Sequence, residues 1–432
     1  MLKKKLETAF AVGVLLPKQK KFEALESFSE LKSLLSTAGA DLRHEELVEV
    51  RQISPATFIG HGKVDEIKHK ILQQKPDFVV IDMELSPVQN RNLEENWGVR
   101  VLDRTGLILD IFAQQAKSKE GKLQVELAQY QYLLPRLVRA WTHLSKQRGG
   151  AIGLRGPGET QLEVDRRRAR EKITQLKKSL VKVSSAREIH RQRRQSVPMP
   201  TVSLIGYTNA GKSTLFNSIV SGGVIADNKL FSTLDPKTKK LRLPSGQVVL
   251  LSDTVGFIRN LPHQLIESFK STFEEVAGSD LLIHVIDASH PNRTQQIETV
   301  DKVLQELELT HIPSIKILNK IDQLETGAID ELKTVFNGNS VKASAMTGAG
   351  IDDVLLKIQE TLSQTYYRQM RLFIPHSEAR ALSELYTHGH VYSMKGHPEG
   401  SEALVSLPPK WQNIYKAFEL QPEFELLPSF VA

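Results

Sequence analysis

The chain of 432 residues contains no cysteine. This absence excludes a disulfide scaffold, a thiolate zinc site, an iron–sulfur cluster and a cysteine nucleophile, and it suits a reducing cytosol. No apolar run approaches the roughly 20 residues of a membrane-spanning helix. The short apolar stretch at 9–16 ends in Pro17-Lys18 without a small-residue cleavage site, so it predicts a strand rather than a signal peptide. We therefore expect a cytoplasmic protein without an integral membrane segment.

Aromatic residues are also few, at 6%, but hydrophobic residues at 40% and charged residues at 25% are typical of a globular chain. Positive charge is unevenly distributed. Residues 155–194 contain 13 Lys and Arg against 5 Asp and Glu, a surplus of eight, whereas the whole chain has a net charge of +7. Such a block predicts attraction to a polyanion, either nucleic acid or an anionic membrane, although a solvated helix face would have the same composition.

The alternation of apolar strands with amphipathic helical patterns predicts an α/β fold in four parts. Residues 1–105 have the spacing of a small parallel α/β domain, and residues 106–196 are predicted to form a long helical hairpin. After a stretch with two prolines, a second and larger α/β domain follows over 198–365. Residues 366–432 are predicted to form a small α+β C-terminal domain.

The predicted hairpin has a glycine-rich connection. Its first helical stretch runs from about 107 to 146 with a kink at Pro135, and its second covers 160–194. The connecting loop, 148–159, has five glycines in twelve residues, which removes side chains that could pack, and it is longer than a helical turn requires. It is either a flexible surface tip or a probe whose bare backbone closely approaches a phosphate-rich partner.

A second glycine-containing stretch, Gly60-His61-Gly62-Lys63, precedes a predicted helix in the N-terminal domain. Glycines before a helix N-terminus can bind an anion. A plain turn at a helix start explains the same residues, and as a nucleotide-binding motif the pattern is weak.

The strongest motif is an eight-residue match to G-x-x-x-x-G-K-[ST] between an apolar strand and a helical pattern. The residues of this phosphate-binding loop are Gly206, Tyr207, Thr208, Asn209, Ala210, Gly211, Lys212 and Ser213. Its glycines allow the backbone amides to point at phosphates, and the helix N-terminus adds positive potential. We predict that Lys212 bridges the terminal phosphates, that Ser213 ligates Mg²⁺ and that Thr214 also binds the nucleotide.

Two further segments are expected to surround the terminal phosphate. Asp253-Thr254-Val255-Gly256 follows a buried strand, which places Asp253 where it can hold Mg²⁺ through water and Gly256 where its amide can meet the γ-phosphate. Phe231 and Thr233 lie between this motif and the phosphate-binding loop. Thr233 is the predicted switch threonine that contributes its hydroxyl to Mg²⁺, which is the expected cofactor.

The motif Asn319-Lys320-Ile321-Asp322 indicates which base is bound, since the Asp322 carboxylate can accept hydrogen bonds from the N1–H and the 2-amino group of guanine. Adenine has an acceptor at N1 and no 2-amino group, so it would leave a buried carboxylate unpaired. Further on, Ser344-Ala345-Met346 could place a backbone amide on the guanine oxygen. Occurring in this order and each at a strand end, the motifs predict that 198–365 is a P-loop GTPase (G) domain.

One position departs from the simplest GTPase pattern. Phe257 follows Gly256, where many GTPases have a glutamine that orients the attacking water. The remaining catalytic candidates are Lys212, Thr233 and Gly256, which bind and neutralise phosphates and do not position water. We therefore expect slow intrinsic hydrolysis, with the missing positioning supplied by a partner.

A further motif lies in the hairpin: Gly153-Leu154-Arg155-Gly156-Pro157-Gly158-Glu159-Thr160-Gln161-Leu162-Glu163, ahead of Asp165-Arg166-Arg167. Together with the G-domain motifs, it resembles the signature of the HflX family of ribosome-associated GTPases, which are translation-factor-like P-loop GTPases. The resemblance implies binding to the large ribosomal subunit and its rRNA, GTP hydrolysis to GDP and phosphate stimulated by that subunit, and dissociation of stalled or idle ribosomes. It also implies that the hairpin loop reaches towards the peptidyl-transferase centre.

The RNA-binding candidates combine this resemblance with the basic charge of the hairpin: Arg148, Gly153, Arg155, Gly156, Gly158, Arg166, Arg167 and Arg168. An alternative function is an RNA-binding remodeller or chaperone in which GTP binding is only regulatory. A tRNA-modifying GTPase is disfavoured, because those enzymes resemble one another in a C-terminal cysteine motif. ATP binding, proposed for the N-terminal domain of some family members, finds no Walker pattern at 60–63. We expect a monomer when the protein is free.

Overall fold

The computed structural model describes residues 6–137, 161–195, 199–221, 237–259, 275–325 and 340–420. Over these residues the chain forms three sheets, of four, six and three strands. The first two are built mainly of parallel strands and the third is antiparallel. The predicted fold class, a parallel α/β layer and a P-loop-type domain followed by a small α+β part, is confirmed. Among the helices described, none is both long and apolar enough to cross a membrane.

The N-terminal sheet has the strand order β2-β1-β3-β4, and all neighbouring strands are parallel. Its strands are β1 (Thr8–Leu15), β2 (Asp41–Glu49), β3 (Phe78–Ile81) and β4 (Arg100–Asp103). Its helices are α1 (Lys21–Ala38), α2 (His61–Gln74), α3 (Pro87–Trp97) and α4 (Arg104–Gln115). Every residue of β3 is buried, because helices cover both faces of the sheet, as is typical of parallel sheets.

The helical region after β4 is divided where the sequence analysis predicts one kinked helix. α4 ends before α5 (Lys119–Leu133) begins, because the Ser118 hydroxyl caps α5 by accepting a backbone N–H at 2.8 Å. α5 ends in a 3-10 turn, Leu134–Arg136, at the predicted proline. It packs against α6 (Gln161–Gln195), whose 35 residues span about 52 Å. The glycine-rich loop lies outside the described residues, so its form stays a prediction.

The G-domain sheet has the strand order β10-β9-β8-β5-β7-β6, and only β6 runs antiparallel to its neighbour. Its strands are β5 (Thr201–Gly206), β6 (Lys237–Arg242), β7 (Val248–Asp253), β8 (Leu281–Asp287), β9 (Ser314–Asn319) and β10 (Ser340–Lys342). Its helices are α7 (Lys212–Ser221), α8 (Arg293–Glu306) and α9 (Ile351–Thr365). The carboxyl ends of β5, β7, β8 and β9 meet at one edge, which is where open α/β sheets bind ligands.

The C-terminal sheet is antiparallel, in the order β11-β13-β12. Its elements are β11 (Arg368–Pro375), α10 (Ala379–His388), β12 (His390–His397), β13 (Gly400–Leu407) and α11 (Pro409–Tyr415). Leu372, Leu385, Val405 and Tyr415 belong to its own small apolar core.

Apolar side chains connect the N-terminal layer with the G domain. One continuous buried cluster contains Leu31 of α1 and Phe112 of α4 together with Tyr207, Phe257 and Ile258 of the G domain. The phosphate-binding loop and the segment after Gly256 therefore rest on the N-terminal layer.

Candidate functional site

The phosphate-binding loop joins the end of β5 to the start of α7, and its backbone depends on glycine at two positions. Gly206 has φ +145° and Gly211 has φ +91°, conformations that other residues rarely adopt. A Cβ on Gly206 would also collide with the Val285 carbonyl oxygen, and one on Gly211 would collide with the Asn319 amide. The loop is thus seated directly against β8 and the end of β9.

Lys212 lies at the centre of this loop, with 7% of its surface exposed. Its Nζ donates to the carbonyl oxygens of Gly206, at 3.1 Å, and Tyr207, at 2.8 Å. Burial lowers the pKa of Lys212 to about 8, and the negative charge of Asp253 partly opposes the shift. A Cβ on Gly256 would be 2.8 Å from the Lys212 Nζ, so the Gly256 backbone and the ammonium group line the same small space.

Two hard oxygen donors lie beside the lysine. The Ser213 hydroxyl donates to Oδ2 of Asp253 at 2.8 Å, and Asp253 is fully buried at the end of β7. A hydroxyl and a carboxylate are ligands that Mg²⁺ accepts, so these residues fit the expected ion. The other predicted metal ligand, Thr233, lies outside the described residues, as does Phe231.

Asn319 connects the phosphate-binding loop with the predicted base-binding segments. Its Nδ2 donates to the Ala210 carbonyl at 2.8 Å, and its Oδ1 accepts the backbone N–H of Ala345 at 3.0 Å. The neighbouring Lys320 donates to Oδ2 of Asp287 at 2.6 Å. The buried Asn319 amide therefore joins the phosphate-binding loop, its own motif and the segment at Ser344, as the sequence predicts. The structure adds Asp287 at the end of β8, a residue that a search for carboxylates at strand ends would have found.

Asp322 is exposed at the rim of this arrangement. The Ser344 hydroxyl donates to its Oδ1 at 2.5 Å, and the same hydroxyl oxygen accepts the Thr347 N–H at 3.1 Å. The hydrogen bond from Ser344 therefore orients the Asp322 carboxylate. The Met346 side chain is also exposed, at 67%.

The side chains of Phe257 and Tyr207 both belong to the buried cluster shared with the N-terminal layer. The Thr208 N–H donates to the Phe257 carbonyl at 2.7 Å and the Phe257 N–H donates to the Gly206 carbonyl at 3.0 Å, which closes a short parallel bridge. The Phe257 ring is buried in the cluster shared with the N-terminal layer. The Tyr207 hydroxyl donates to Glu30 of α1 at 2.7 Å. These residues are 177 positions apart, so no local sequence pattern predicts the contact.

The predicted RNA-binding residues are only partly described. Arg166, Arg167 and Arg168 lie in the first turns of α6, where Arg167 and Arg168 are exposed and the Arg166 Nε donates to the Leu137 carbonyl at 3.2 Å. The described part of α6 also exposes Arg170, Lys177, Lys178 and Lys182. The candidates outside the described residues are Arg148, Gly153, Arg155, Gly156 and Gly158.

Three protein-family descriptions match successive parts of the chain. Residues 25–113 match "GTP-binding GTPase N-terminal", residues 115–194 match "GTP-binding GTPase Middle Region" and residues 201–320 match "50S ribosome-binding GTPase". Together they cover the N-terminal layer from residue 25 onward, most of the predicted hairpin and the G domain as far as residue 320.

Curated relatives extend this similarity over most of the chain. A "GTPase HflX" of Magnetococcus marinus is 44% identical over 404 residues, which is 93% of both chains. A "GTPase HflX" of Escherichia coli strain K12 is 47% identical over 364 residues, which is 84% of this chain and 85% of that one. Among solved structures, a GTP-binding protein of Sulfolobus solfataricus in complex with GDP is 25% identical with a TM-score of 0.43, covering 83% of this chain and 99% of the other.

Proposed function

The chain belongs to the HflX family of GTPases, and we propose that it binds the large ribosomal subunit in the cytoplasm through ribosomal RNA and dissociates stalled or idle ribosomes. GTP hydrolysis and membership among ribosome-binding GTPases come with the family. The direct role in dissociation, stimulation by the large subunit and a monomeric free state are the proposed parts.

The GTP site is proposed to work through residues of four segments. The loop amides and Lys212 would hold the phosphates, Asn319 would keep the loop in register with the base-binding segments, and Asp322 would accept the guanine donors. Mg²⁺ would be held by Ser213 and Thr233, and through water by Asp253. When bound, the ion would neutralise phosphate charge.

The position of Phe257 supports slow intrinsic hydrolysis. Its ring is buried against the N-terminal layer and has no hydrogen-bonding group, so it cannot orient a water molecule. Groups supplied in trans to GTPases contribute on the order of 10³–10⁵ in rate. A partner that completes the site would therefore control turnover, and the large subunit is the proposed partner.

The exposed basic face of α6 is the observation that best supports an RNA partner. Among the residues with described side chains, six of its cations are exposed. Arg167 forms a salt bridge with Glu171 at 3.8 Å, but both side chains are more than half exposed, so this pair is weak and Arg167 can still bind a phosphate. Exposed cations of this density bind phosphates by releasing counterions, which predicts a steep fall of affinity with salt.

Sedimentation with purified subunits tests the function against its alternative. With a non-hydrolysable GTP analogue the protein should comigrate with large subunits, and it should split 70S ribosomes when GTP is supplied. RNA binding that is indifferent to the nucleotide, without subunit splitting, would instead support the RNA remodeller.

GTPase assays with each purified subunit test the stimulation. We expect slow multiple turnover alone, strong stimulation by large subunits and little by small subunits. Fast hydrolysis without ribosomes, or equal stimulation by both subunits, would contradict this mechanism.

A charge-neutralised helix tests the RNA face. Replacing Arg167, Arg168 and Arg170 with Gln should weaken binding to large subunits and reduce its salt dependence by about one unit of slope for each phosphate that is no longer neutralised. The matched control replaces the exposed and scattered Lys302, Lys395 and Lys416 with Gln, which removes the same charge elsewhere. Equal losses in both variants would mean that general charge, and not this face, governs binding.

A further inference from the structure

The Tyr207 hydroxyl joins three parts of the molecule that are far apart in sequence. Tyr207 is the second residue of the phosphate-binding loop, and its phenol is buried. The hydroxyl donates to Oε1 of Glu30 in α1 at 2.7 Å and accepts the backbone N–H of Arg259 at 3.0 Å. Arg259 lies three residues after Gly256, whose backbone lines the space beside Lys212. One hydroxyl thus links the loop, the segment after Gly256 and the N-terminal layer.

Glu30 is itself held from within the N-terminal layer. Its Oε2 pairs with Nη2 of Arg104, and Nη1 of Arg104 donates to Oδ1 of Asp82 at 2.7 Å. Arg104 is 3% exposed and Asp82 is buried, so this ion-pair group belongs to the core at the ends of β3 and β4. Glu30 therefore presents a carboxylate of fixed position to the G domain.

The protonation state of the Tyr207 phenol is also defined. Burial raises the pKa of the phenol, and the neighbouring Glu30 raises it further. The phenol therefore keeps its proton and donates it to the Glu30 carboxylate, which also pairs with Arg104. Removing either partner leaves a buried polar group unsatisfied.

The segment after Gly256 is also held by contacts other than the Tyr207 hydroxyl. The backbone of Phe257 pairs with Gly206 and Thr208, and the Arg259 Nη2 donates to Oε1 of Gln295 at 2.6 Å and lies 3.5 Å from Glu26. A shift of α1 relative to the G domain must therefore move the phosphate-binding loop, this segment or both.

We propose that Tyr207 is a positioning residue for GTP hydrolysis, and that Glu30 of the N-terminal layer holds it in place. Through this contact the N-terminal layer sets the position of the Gly256 segment relative to the phosphate-binding loop. The proposal rests on the GTPase activity alone and does not depend on ribosome binding.

The chain offers a matched control in Tyr132. Its hydroxyl donates to Oδ1 of the fully buried Asp103 at 2.6 Å, and Tyr132 is as well buried as Tyr207. This pair has the same chemistry but joins α5 to the end of β4, and the hydrogen bonds described for Asp103 all come from outside the G domain. Tyr132→Phe therefore reports what loss of a buried tyrosine–carboxylate bond does to the fold alone.

Steady-state kinetics without ribosomes test the proposal. Tyr207→Phe and Glu30→Ala should each lower kcat about tenfold while KM changes less than threefold, and the double variant should lose clearly less than the product of the two single losses, because both single variants remove the same hydrogen bond. Glu30→Gln, which keeps an acceptor for the phenol, should recover most of the kcat. Tyr132→Phe should lower the melting temperature without changing kcat.

Hydrogen exchange gives a second readout that does not depend on activity. The Arg259 amide donates to the Tyr207 hydroxyl, so exchange in the segment 257–259 should accelerate in Tyr207→Phe and not in Tyr132→Phe. An unchanged or raised kcat in a folded Tyr207→Phe protein, additive effects in the double variant, or an equal loss of kcat in Tyr132→Phe would each overturn the proposal. Because no ribosome is present, these outcomes leave the proposed ribosomal function untouched.

Discussion

The N-terminal sheet and the G-domain sheet both have carboxylates at or just after the ends of their strands, but these carboxylates have different hydrogen-bond partners. In the N-terminal sheet Asp103 is fully buried and accepts hydrogen bonds from the Tyr132 hydroxyl, the Arg136 guanidinium and the backbone of Leu85 and Gly106. In the G-domain sheet, Asp322 is exposed and is oriented by the Ser344 hydroxyl. A carboxylate that the chain does not itself saturate keeps acceptor capacity for a ligand, and Asp322 is the carboxylate proposed to use it.

The glycines of the G domain and of the N-terminal layer also differ, in how closely other atoms surround them. A Cβ on Gly206 or Gly211 would collide with neighbouring strands, whereas a Cβ on Gly60 or Gly62 would have no atom within 4 Å. α2 begins at His61 with Gly60 as its N-cap and without a side-chain cap. Crowding therefore does not require glycine at position 60 or 62, and this favours the plain helix start over a nucleotide site.

The largest effect that tests this comparison is expected at Asp322. Asp322→Asn should weaken GTP binding by about 10³-fold or more, because the amide cannot accept both guanine donors, and it should improve binding of xanthosine triphosphate. Fluorescence titrations with GTP and with xanthosine triphosphate measure the two affinities. Ser344→Ala, which releases the carboxylate and the Thr347 N–H but keeps the carboxylate itself, should weaken GTP binding about tenfold without a gain for xanthine. Unchanged GTP binding in Asp322→Asn would contradict the assigned base contact.

The opposite outcome is expected at the equivalent place in the N-terminal sheet. Asp103→Ala should lower the free energy of unfolding by about 3–5 kcal/mol, since it leaves the largely buried Arg136 guanidinium and the buried Tyr132 hydroxyl without their carboxylate acceptor. GDP affinity of the folded protein should stay within threefold. Chemical denaturation and a GDP titration below the melting temperature measure the two quantities. A nearly unchanged stability with lost GDP binding would show that Asp103 serves a ligand.

Sequence patterns predict features that depend on short stretches of chain. Strand periodicity and glycine geometry are local, so the sequence predicts that the phosphate-binding loop, Asp253 and the segments at Asn319 and Ser344 lie at strand ends. The structure has β5, β7, β9 and β10 at these places. The contact between Tyr207 and Glu30 could not be predicted, since it depends on how two layers pack.

The division between α4 and α5 depends on a local capping residue that helical periodicity does not detect. The apolar spacing continues across 116–118, so it predicts one helix, yet Ser118 is a good N-cap residue and starts a new one. The sequence contained this information, but helical periodicity alone gives it no weight.

Within the G domain, a buried titratable group that serves no ligand should affect only stability. His284 lies in the middle of β8, and burial, followed by the charges of Lys316 and Lys212, lowers its pKa from 6.5 to about 3. The unfolded chain takes up the proton first, so stability falls as the pH drops below 6.5. The loss by pH 5 should be about 2 kcal/mol. Urea denaturation from pH 7.5 to pH 5 should show this component, and His284→Leu should lack it. An equally steep pH dependence in both proteins would assign the acid sensitivity to other groups.

The smallest effect is expected at Lys212, a buried titratable group that does serve the ligand. In the free loop its Nζ contacts two carbonyl oxygens, and burial lowers its pKa to about 8. Phosphates placed beside it favour the charged ammonium, so its pKa should rise on GDP binding. Binding at pH 8.5 should therefore take up more than half a proton, whereas binding at pH 7 should take up about a tenth. Calorimetric titrations in two buffers of different ionisation enthalpy measure this uptake. Lys212→Arg should show none, because the guanidinium stays charged at both pH values. Equal uptake in the two proteins would mean that the proton is bound elsewhere and that Lys212 is already charged in the free loop.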